Sequence, residues 1–131
     1  MAKKKILVVD DEVDFTELMK VRFEANDYEV IISNNGEEAL SVIKKENPDA
    51  VLLDIMMPGM DGLAVLKEIR LTDPNLPVFM ITAFSNEKRV RLAGMLNASG
   101  FIVKSRQNIS DEIKNITNAI EIADKFKEKR G

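Results

Sequence analysis

Five polar side chains that can bind or transfer charged groups follow short apolar runs in this sequence: Asp10, Asp11, Asp54, Thr82 and Lys104. The run before Asp54, Ala50-Val51-Leu52-Leu53, has no polar alternation, which is typical of a strand buried on both faces of a parallel sheet. The carboxyl ends of such strands share one edge, so we expect the five side chains to converge there. Acids in contact repel one another unless a cation or a shared proton compensates. The three acids and a loop carbonyl form an all-oxygen set that suits Mg²⁺.

A carboxylate beside Mg²⁺, with an ammonium and a hydroxyl nearby, is equipped for phosphoryl transfer to the carboxylate itself. Asp54 is the predicted nucleophile. The metal and the Lys104 ammonium would neutralise phosphoryl oxygens, and the Thr82 hydroxyl would donate a hydrogen bond to another oxygen. Taken singly, Asp10, Asp11 and Glu12 are explained as helix-capping acids and Lys104 as a surface side chain. Their joint occurrence at successive strand ends favours a functional site.

The elements that must position these residues are five apolar runs, each followed by a segment with helical spacing of apolar residues. The runs are Ile6-Leu7-Val8-Val9, Val30-Ile31-Ile32, Val51-Leu52-Leu53, Pro77-Val78-Phe79-Met80-Ile81 and Phe101-Ile102-Val103. Regular alternation of this kind predicts an α/β fold, with right-handed crossovers and a parallel sheet covered by helices on both faces. The sequence has no internal repeat, linker or low-complexity tract, so we expect residues 1–131 to form one domain.

The composition excludes several classes of chemistry. The 131 residues contain no Cys and no His, which excludes disulfides, zinc-thiolate sites and a phosphohistidine. The net charge of -3 argues against nucleic acid as the main partner. No apolar run reaches the length of a membrane span, and the start of the sequence lacks the pattern of a secretory signal. We therefore expect a cytoplasmic protein without a direct membrane contact.

Four motifs in order along essentially the whole chain resemble the receiver domain of two-component response regulators. They are Ile6-Leu7-Val8-Val9-Asp10-Asp11-Glu12, Leu53-Asp54-Ile55-Met56-Met57-Pro58-Gly59-Met60-Asp61-Gly62, Ile81-Thr82-Ala83 and Phe101-Ile102-Val103-Lys104. The resemblance implies a flavodoxin-like (βα)5 fold with strand order 2-1-3-4-5. It also implies that Asp54 accepts a phosphoryl group from a histidine kinase or a phosphotransfer protein. In this family Mg²⁺ is held by the residues that correspond to Asp10, Asp11, Asp54 and the backbone carbonyl of Met56.

The resemblance further implies a switch. Thr82 and Lys104 would contact the phosphoryl group, and Phe101 stands where the family has a rotating aromatic residue. Movement of Thr82 and Phe101 would alter the face made by the fourth helix, the fifth strand and the fifth helix, which would bind a downstream protein. Such a domain catalyses its own phosphorylation and dephosphorylation at Asp54 and is not a turnover enzyme. The alternative is a receiver-like interaction module that is never phosphorylated.

The sequence departs from the family pattern at three positions. Ser105 replaces the usual proline after the lysine, so the Lys104-Ser105 peptide is not expected to share the family's cis geometry. Phe101 lacks the hydroxyl of a tyrosine. Asn97 occupies a position where the family often has glycine, which is a mild change because Asn tolerates a positive φ.

Two further segments allow more than one interpretation. Lys88, Arg89 and Arg91 in the fourth helix form either a solvated face or a contact for an acidic partner. The last helix, over about residues 108–129, is longer than docking on the sheet requires. It is expected either to project, to pair with a second copy in a homodimer, or to continue into a linker.

Two enzyme or cofactor-binding alternatives are less well supported. A haloacid-dehalogenase-like phosphatase also uses an aspartyl nucleophile, but it would need a second acid two residues later, where Met56 stands. A flavodoxin-like cofactor binder would need a phosphate-binding glycine-rich loop, which the sequence lacks. Both alternatives therefore rank below the receiver domain.

Overall fold

Five β-strands and five α-helices alternate along the chain in the computed structural model, which describes residues 3–57, 59, 61–82, 87–104 and 109–130. The strands are β1 (Lys5–Val9), β2 (Glu29–Ser33), β3 (Ala50–Asp54), β4 (Val78–Thr82) and β5 (Gly100–Val103). The helices are α1 (Val13–Ala25), α2 (Gly36–Glu46), α3 (Gly62–Thr72), α4 (Glu87–Met95) and α5 (Ile109–Arg130). The five predicted strand and helix pairs are all present.

The strands form one parallel sheet in the order β2-β1-β3-β4-β5, which confirms the predicted flavodoxin-like fold. Val9 at the end of β1 is in register with Leu53, the residue before Asp54. Asp54 pairs with Ile81, and Thr82 pairs with Val103. The carboxyl ends of four strands therefore lie side by side along one edge.

Helices cover both faces of the sheet, as the apolar runs predict. Residues 50–53 of β3 are fully buried, in agreement with a central strand that has no polar alternation. One core lies between the sheet and α2, α3 and α4, and its members include Leu7, Leu53, Leu66, Ile69 and Ala93. The other lies between the sheet and α1 and α5, and its members include Ile6, Leu52, Phe23, Ile116 and Ile120. Among the described residues, the sheet is thus packed against helices on both faces.

Short polar residues end or begin several helices. Asp27, just after α1, has a φ of 71°, a left-handed conformation that Asp tolerates after the end of a helix. Asn35 and Asp61 cap α2 and α3, since their side chains accept hydrogen bonds from the amides of Glu38 and Ala64 at 2.9 and 3.0 Å. Ser85 and Asn86, whose residue types favour a cap at the start of α4, lie outside the described residues.

Arg70, in the last turn of α3, forms hydrogen bonds with two neighbouring loops, the one after α4 and the one before β4. Its Nε donates to the carbonyl of Asn97 at 2.9 Å, just beyond α4. Its Nη1 donates to the carbonyls of Asp73 and Leu76 at 3.1 and 2.8 Å, in the segment that leads into β4. The guanidinium thereby donates to three backbone carbonyls. Among the described contacts, no other side chain donates to these carbonyls.

The last helix is 22 residues long, or about 33 Å at 1.5 Å per residue. Its inward residues Ile113, Ile116 and Ile120 dock on the sheet, as predicted. The homodimer or linker role of its distal end stays a prediction, as does the single-domain organisation over residues 1–131. None of the helices in the described ranges combines the length and apolar character needed to cross a membrane. The cytoplasmic location also stays a prediction.

Candidate functional site

The edge formed by the carboxyl ends of the strands gathers the predicted site residues. Asp10 and Asp11 follow β1, Asp54 is the last residue of β3, Thr82 is the last of β4, and Lys104 follows β5. The Lys104 amide donates to the Thr82 carbonyl at 2.8 Å, so the β4-β5 ladder carries Lys104 to the same edge. Parallel pairing alone therefore brings together residues that are far apart in the sequence.

Three acids meet at this edge. One carboxylate oxygen from each of Asp10, Asp11 and Asp54 lies within 4.8 Å of the other two. Asp10 is fully buried and Asp54 is 5% exposed, whereas Asp11 is open to solvent. Hard oxygen ligands with one side facing water suit Mg²⁺, which binds one or two carboxylates and keeps several waters. The donor set therefore fits the predicted metal.

The backbone holds two of the acids in place. Asp10 Oδ1 accepts a hydrogen bond from the Glu12 amide at 2.9 Å, and Asp54 Oδ1 accepts one from the Met56 amide at 3.1 Å. Each bond spans two residues and turns the chain sharply after its strand. The second oxygen of each carboxylate is thereby left facing the site. The predicted role of the Met56 carbonyl as a metal ligand stays a prediction.

Lys104 supplies the positive charge of the site. Its side chain is 11% exposed, and its Nζ lies 2.7 Å from Asp10 Oδ2 and 3.6 Å from Asp54 Oδ2. Burial alone lowers the pKa of Lys104, but the contacts with Asp10 and Glu12 outweigh burial and raise that pKa above its ordinary value. The ammonium therefore stays charged at every physiological pH, as a phosphate-binding group must.

Asp54 is the strongly perturbed acid. Burial, followed by repulsion from Asp10, raises the pKa of the Asp54 carboxyl from 3.8 to about 7. The Met56 amide and the charge of Lys104 act in the opposite direction without cancelling the rise. One ammonium is thus too little positive charge for this cluster of acids, which is a second reason to expect a cation here.

Gly62, at the start of α3, packs directly on the strand that carries Asp54. A Cβ added to Gly62 would overlap the Asp54 carbonyl oxygen, and the Gly62 amide donates to the Ile55 carbonyl at 3.0 Å. No larger residue fits without moving the backbone. The glycine in the motif after Asp54 therefore allows α3 to begin in direct contact with the end of β3.

Two residues that contact Lys104 were not among the predicted site residues. Glu12 Oε1 lies 2.7 Å from Lys104 Nζ, and the ring centroid of Phe15 lies 5.0 Å from the same atom. Glu12 was interpreted as a capping acid, but its side chain makes no cap hydrogen bond at the start of α1. Phe15 is an apolar position of α1 and carries no sequence signal for a site. Glu12 directly follows the motif acid Asp11, which was the available signal.

The two predicted switch residues lie on one face of the sheet. Thr82 is buried at the end of β4 and pairs with Val103 of β5. Phe101 lies two positions before Val103, so its side chain is on the same face of the sheet as Thr82. Phe101 is 39% exposed while its neighbour Ile102 is buried, so the aromatic ring faces outward in this structure. Asn97 has a φ of 64°, which confirms that it takes the conformation expected of glycine there. Ser105 lies outside the described residues.

Other side chains near the site have ordinary surroundings. Met57 is buried in the core, whereas the Met56 side chain is exposed. Met60 lies outside the described residues. Lys88 and Arg91 are exposed on α4, and Arg89 Nη1 lies 3.3 Å from Asp61 Oδ2. These contacts fit the solvated face and leave an acidic partner as a prediction.

Comparison with known proteins agrees with the geometry. A family model described as the response regulator receiver domain matches residues 6–118. The chain is 38% identical over 126 residues to the probable transcriptional regulator ycf27 of Porphyridium aerugineum, which covers 94% of this chain and 52% of that protein. It is 37% identical over 98 residues to the sporulation initiation phosphotransferase F of Bacillus subtilis (strain 168), covering 75% of this chain and 79% of that one.

Among solved structures, the response regulator protein TrrA from Thermotoga maritima in complex with Mg(2+)-BeF superimposes with a TM-score of 0.79 at 38% identity. That match covers 89% of this chain and 98% of TrrA. The chain thus spans nearly all of TrrA and about half of ycf27.

Proposed function

The chain belongs to the response regulator receiver family, and from this membership and the site geometry we propose that Asp54 accepts a phosphoryl group in a Mg²⁺-dependent reaction. The donor would be the phosphohistidine of a histidine kinase or of a phosphotransfer protein. An Asp54 oxygen would attack phosphorus as the P–N bond to the donor breaks. The product is an aspartyl phosphate, which water later hydrolyses to restore the carboxylate.

The observation that carries this proposal is the arrangement around Asp54. A nucleophilic carboxylate, two further acids and one ammonium lie together at an open rim, on three separate strand ends. Asp10, Asp11, Asp54 and the Met56 carbonyl would hold Mg²⁺, and the TrrA complex with Mg(2+)-BeF supports this assignment. When bound, the ion would supply charge neutralisation for the acids and for phosphoryl oxygens. It would also favour the ionised, nucleophilic form of Asp54.

Lys104 and Thr82 would complete the site. Lys104 is already charged and 3.6 Å from Asp54 Oδ2, which is within reach of an oxygen added to Asp54. Thr82 lies at the end of the neighbouring strand, where its hydroxyl would donate to another phosphoryl oxygen. This is stabilisation of a spread-out anion by prearranged charges and donors. It requires no turnover of an external substrate, so the protein would act as a switch rather than as an ordinary enzyme.

The output would pass through the face made by α4, β5 and α5. Five of the nine large apolar side chains that are exposed among the described residues lie on these elements: Leu92, Met95, Phe101, Val103 and Ile122. An exposed apolar patch of this kind marks a protein-binding surface. Movement of Thr82 toward the phosphoryl group would make room for Phe101 to turn inward, which would change the shape of this face. The partner would be a protein and not nucleic acid.

Incubation with a small phosphodonor and Mg²⁺ tests the proposal. Intact-mass spectrometry should show one added phosphoryl group on the wild-type protein and none on Asp54→Asn or in the presence of EDTA. An unmodified wild-type protein under saturating donor would instead support the alternative, a receiver-like module that is not phosphorylated.

A further inference from the structure

The contacts of Lys104 are unevenly divided among its acidic neighbours. Its Nζ lies 2.7 Å from both Asp10 and Glu12 but 3.6 Å from Asp54. An ammonium has three donors, and here the two shortest contacts are made with acids other than the nucleophile. The Phe15 ring, 5.0 Å from Nζ, provides a further favourable contact on the α1 side. Lys104 is therefore held toward α1.

Asp10 and Glu12 differ in what happens to them when a cation enters. Asp10 belongs to the three-acid cluster, so its charge would be shared with the bound metal. Glu12 does not belong to that cluster among the described residues, and its side chain is 63% exposed. Glu12 would therefore remain a full competitor for the Lys104 ammonium after the metal has bound.

We propose that Glu12 is a positioning residue that holds Lys104 in its resting place and slows its transfer to the phosphoryl group on Asp54. This inference rests on the proposed function. To contact a phosphoryl oxygen, the ammonium must weaken or give up its contact with Glu12, a step that the incoming group has to drive. Glu12 thus limits how readily the site is phosphorylated.

The size of the effect follows from exposure. An ion pair with one partner largely in water contributes at most about a factor of 5. Glu12→Gln should therefore increase the rate of phosphorylation by a small phosphodonor by about 2- to 5-fold. Its folding should be unaffected, because the Glu12 side chain makes no cap hydrogen bond. The gain should shrink at high salt, which screens the pair at the rim.

Three variants separate the contact from the general charge of this region. Asp14→Asn removes the same charge from the exposed first turn of α1, where Asp14 makes no described contact with Lys104, and should leave the rate within a factor of 2. Glu12→Asp keeps the charge but is too short for the 2.7 Å contact, and should also be faster than the wild type. In a Lys104→Gln background, Glu12→Gln should not change the rate of phosphorylation, because Glu12 then has no ammonium to contact.

The assay is the time course of intact mass with saturating Mg²⁺ and a small phosphodonor. Glu12→Gln and Glu12→Asp variants no faster than the wild type would overturn the inference, as would an equal gain in Asp14→Asn. Those results leave the proposed function standing as long as the wild-type protein is phosphorylated at Asp54. A wild-type protein that takes up no phosphoryl group refutes the proposed function itself.

Discussion

Neutralising Asp54 should stabilise the metal-free protein. The pKa of the Asp54 carboxyl is raised from 3.8 to about 7, chiefly by burial and by repulsion from Asp10. Each pKa unit corresponds to about 1.4 kcal/mol, which gives roughly 4 kcal/mol of destabilisation when the group is ionised. Solvent at the open rim screens part of this, so we expect Asp54→Asn to raise the free energy of unfolding by about 2 kcal/mol at pH 8. That corresponds to an increase in Tm of about 6 to 10 °C.

The stability gain of Asp54→Asn should depend on pH, in a direction set by the raised pKa of the Asp54 carboxyl. The folded protein binds the Asp54 proton more tightly than the unfolded chain does, so this group makes the wild type less stable as pH rises from about 4 to about 7. The cost is constant above that range. The advantage of Asp54→Asn should therefore be at most about half as large at pH 4.5 as at pH 8.

Urea unfolding in EDTA at the two pH values measures this difference. Glu68→Gln, at an exposed position of α3, is the matched control and should change stability by less than about 0.5 kcal/mol. Added Mg²⁺ should stabilise the wild type more than the variant and narrow the gap. An Asp54→Asn protein no more stable than the wild type at pH 8, or an advantage that does not grow with pH, would refute the electrostatic account of the site.

Three other perturbations follow from the same structure. Because Mg²⁺ must displace the proton of Asp54, the affinity of the protein for Mg²⁺ should rise about tenfold between pH 6 and pH 8, with release of protons. Calorimetry measures both quantities. An affinity that does not change with pH would show that Asp54 is not a ligand. Gly62→Ala should lower the free energy of unfolding by roughly 3 kcal/mol or more, because the added Cβ would meet the Asp54 carbonyl. Gly94→Ala is the control, since Gly94 has open space around it in α4, and it should be neutral or stabilising by up to about 1 kcal/mol. Equal effects of the two substitutions in chemical unfolding would contradict the packing. Arg70→Lys should lower the free energy of unfolding by about 1 to 3 kcal/mol, because an ammonium cannot donate to all three carbonyls in the geometry of the guanidinium. An unchanged midpoint of chemical unfolding would refute this role of Arg70.

The sequence predicted the sheet and the gathering of charged residues because both follow from local patterns. An apolar run such as residues 50–53 must be buried on both faces, and parallel pairing then aligns the strand ends without further information. The positions of Asp10, Asp54 and Lys104 at one edge needed only strand identity and direction.

The partners of Lys104 could not be predicted in this way. Glu12 and Lys104 are 92 positions apart, and their contact depends on how α1 begins beside β1 and how the lysine side chain bends toward it. Either an outward Glu12 or a capping Glu12 would have satisfied the same sequence pattern. The rise in the pKa of Asp54 likewise depends on burial and on the distance to Asp10, which only the folded arrangement sets.

The most direct test of the central claim is to locate the phosphoryl group chemically. Borohydride reduces an aspartyl phosphate to homoserine, and peptide mass spectrometry then identifies the modified position. After treatment with a small phosphodonor and Mg²⁺, we expect homoserine at position 54 and at no other acid. Homoserine at Asp10 or Asp11, or its absence from a protein shown to have gained a phosphoryl group, would contradict the assignment of Asp54 as the acceptor.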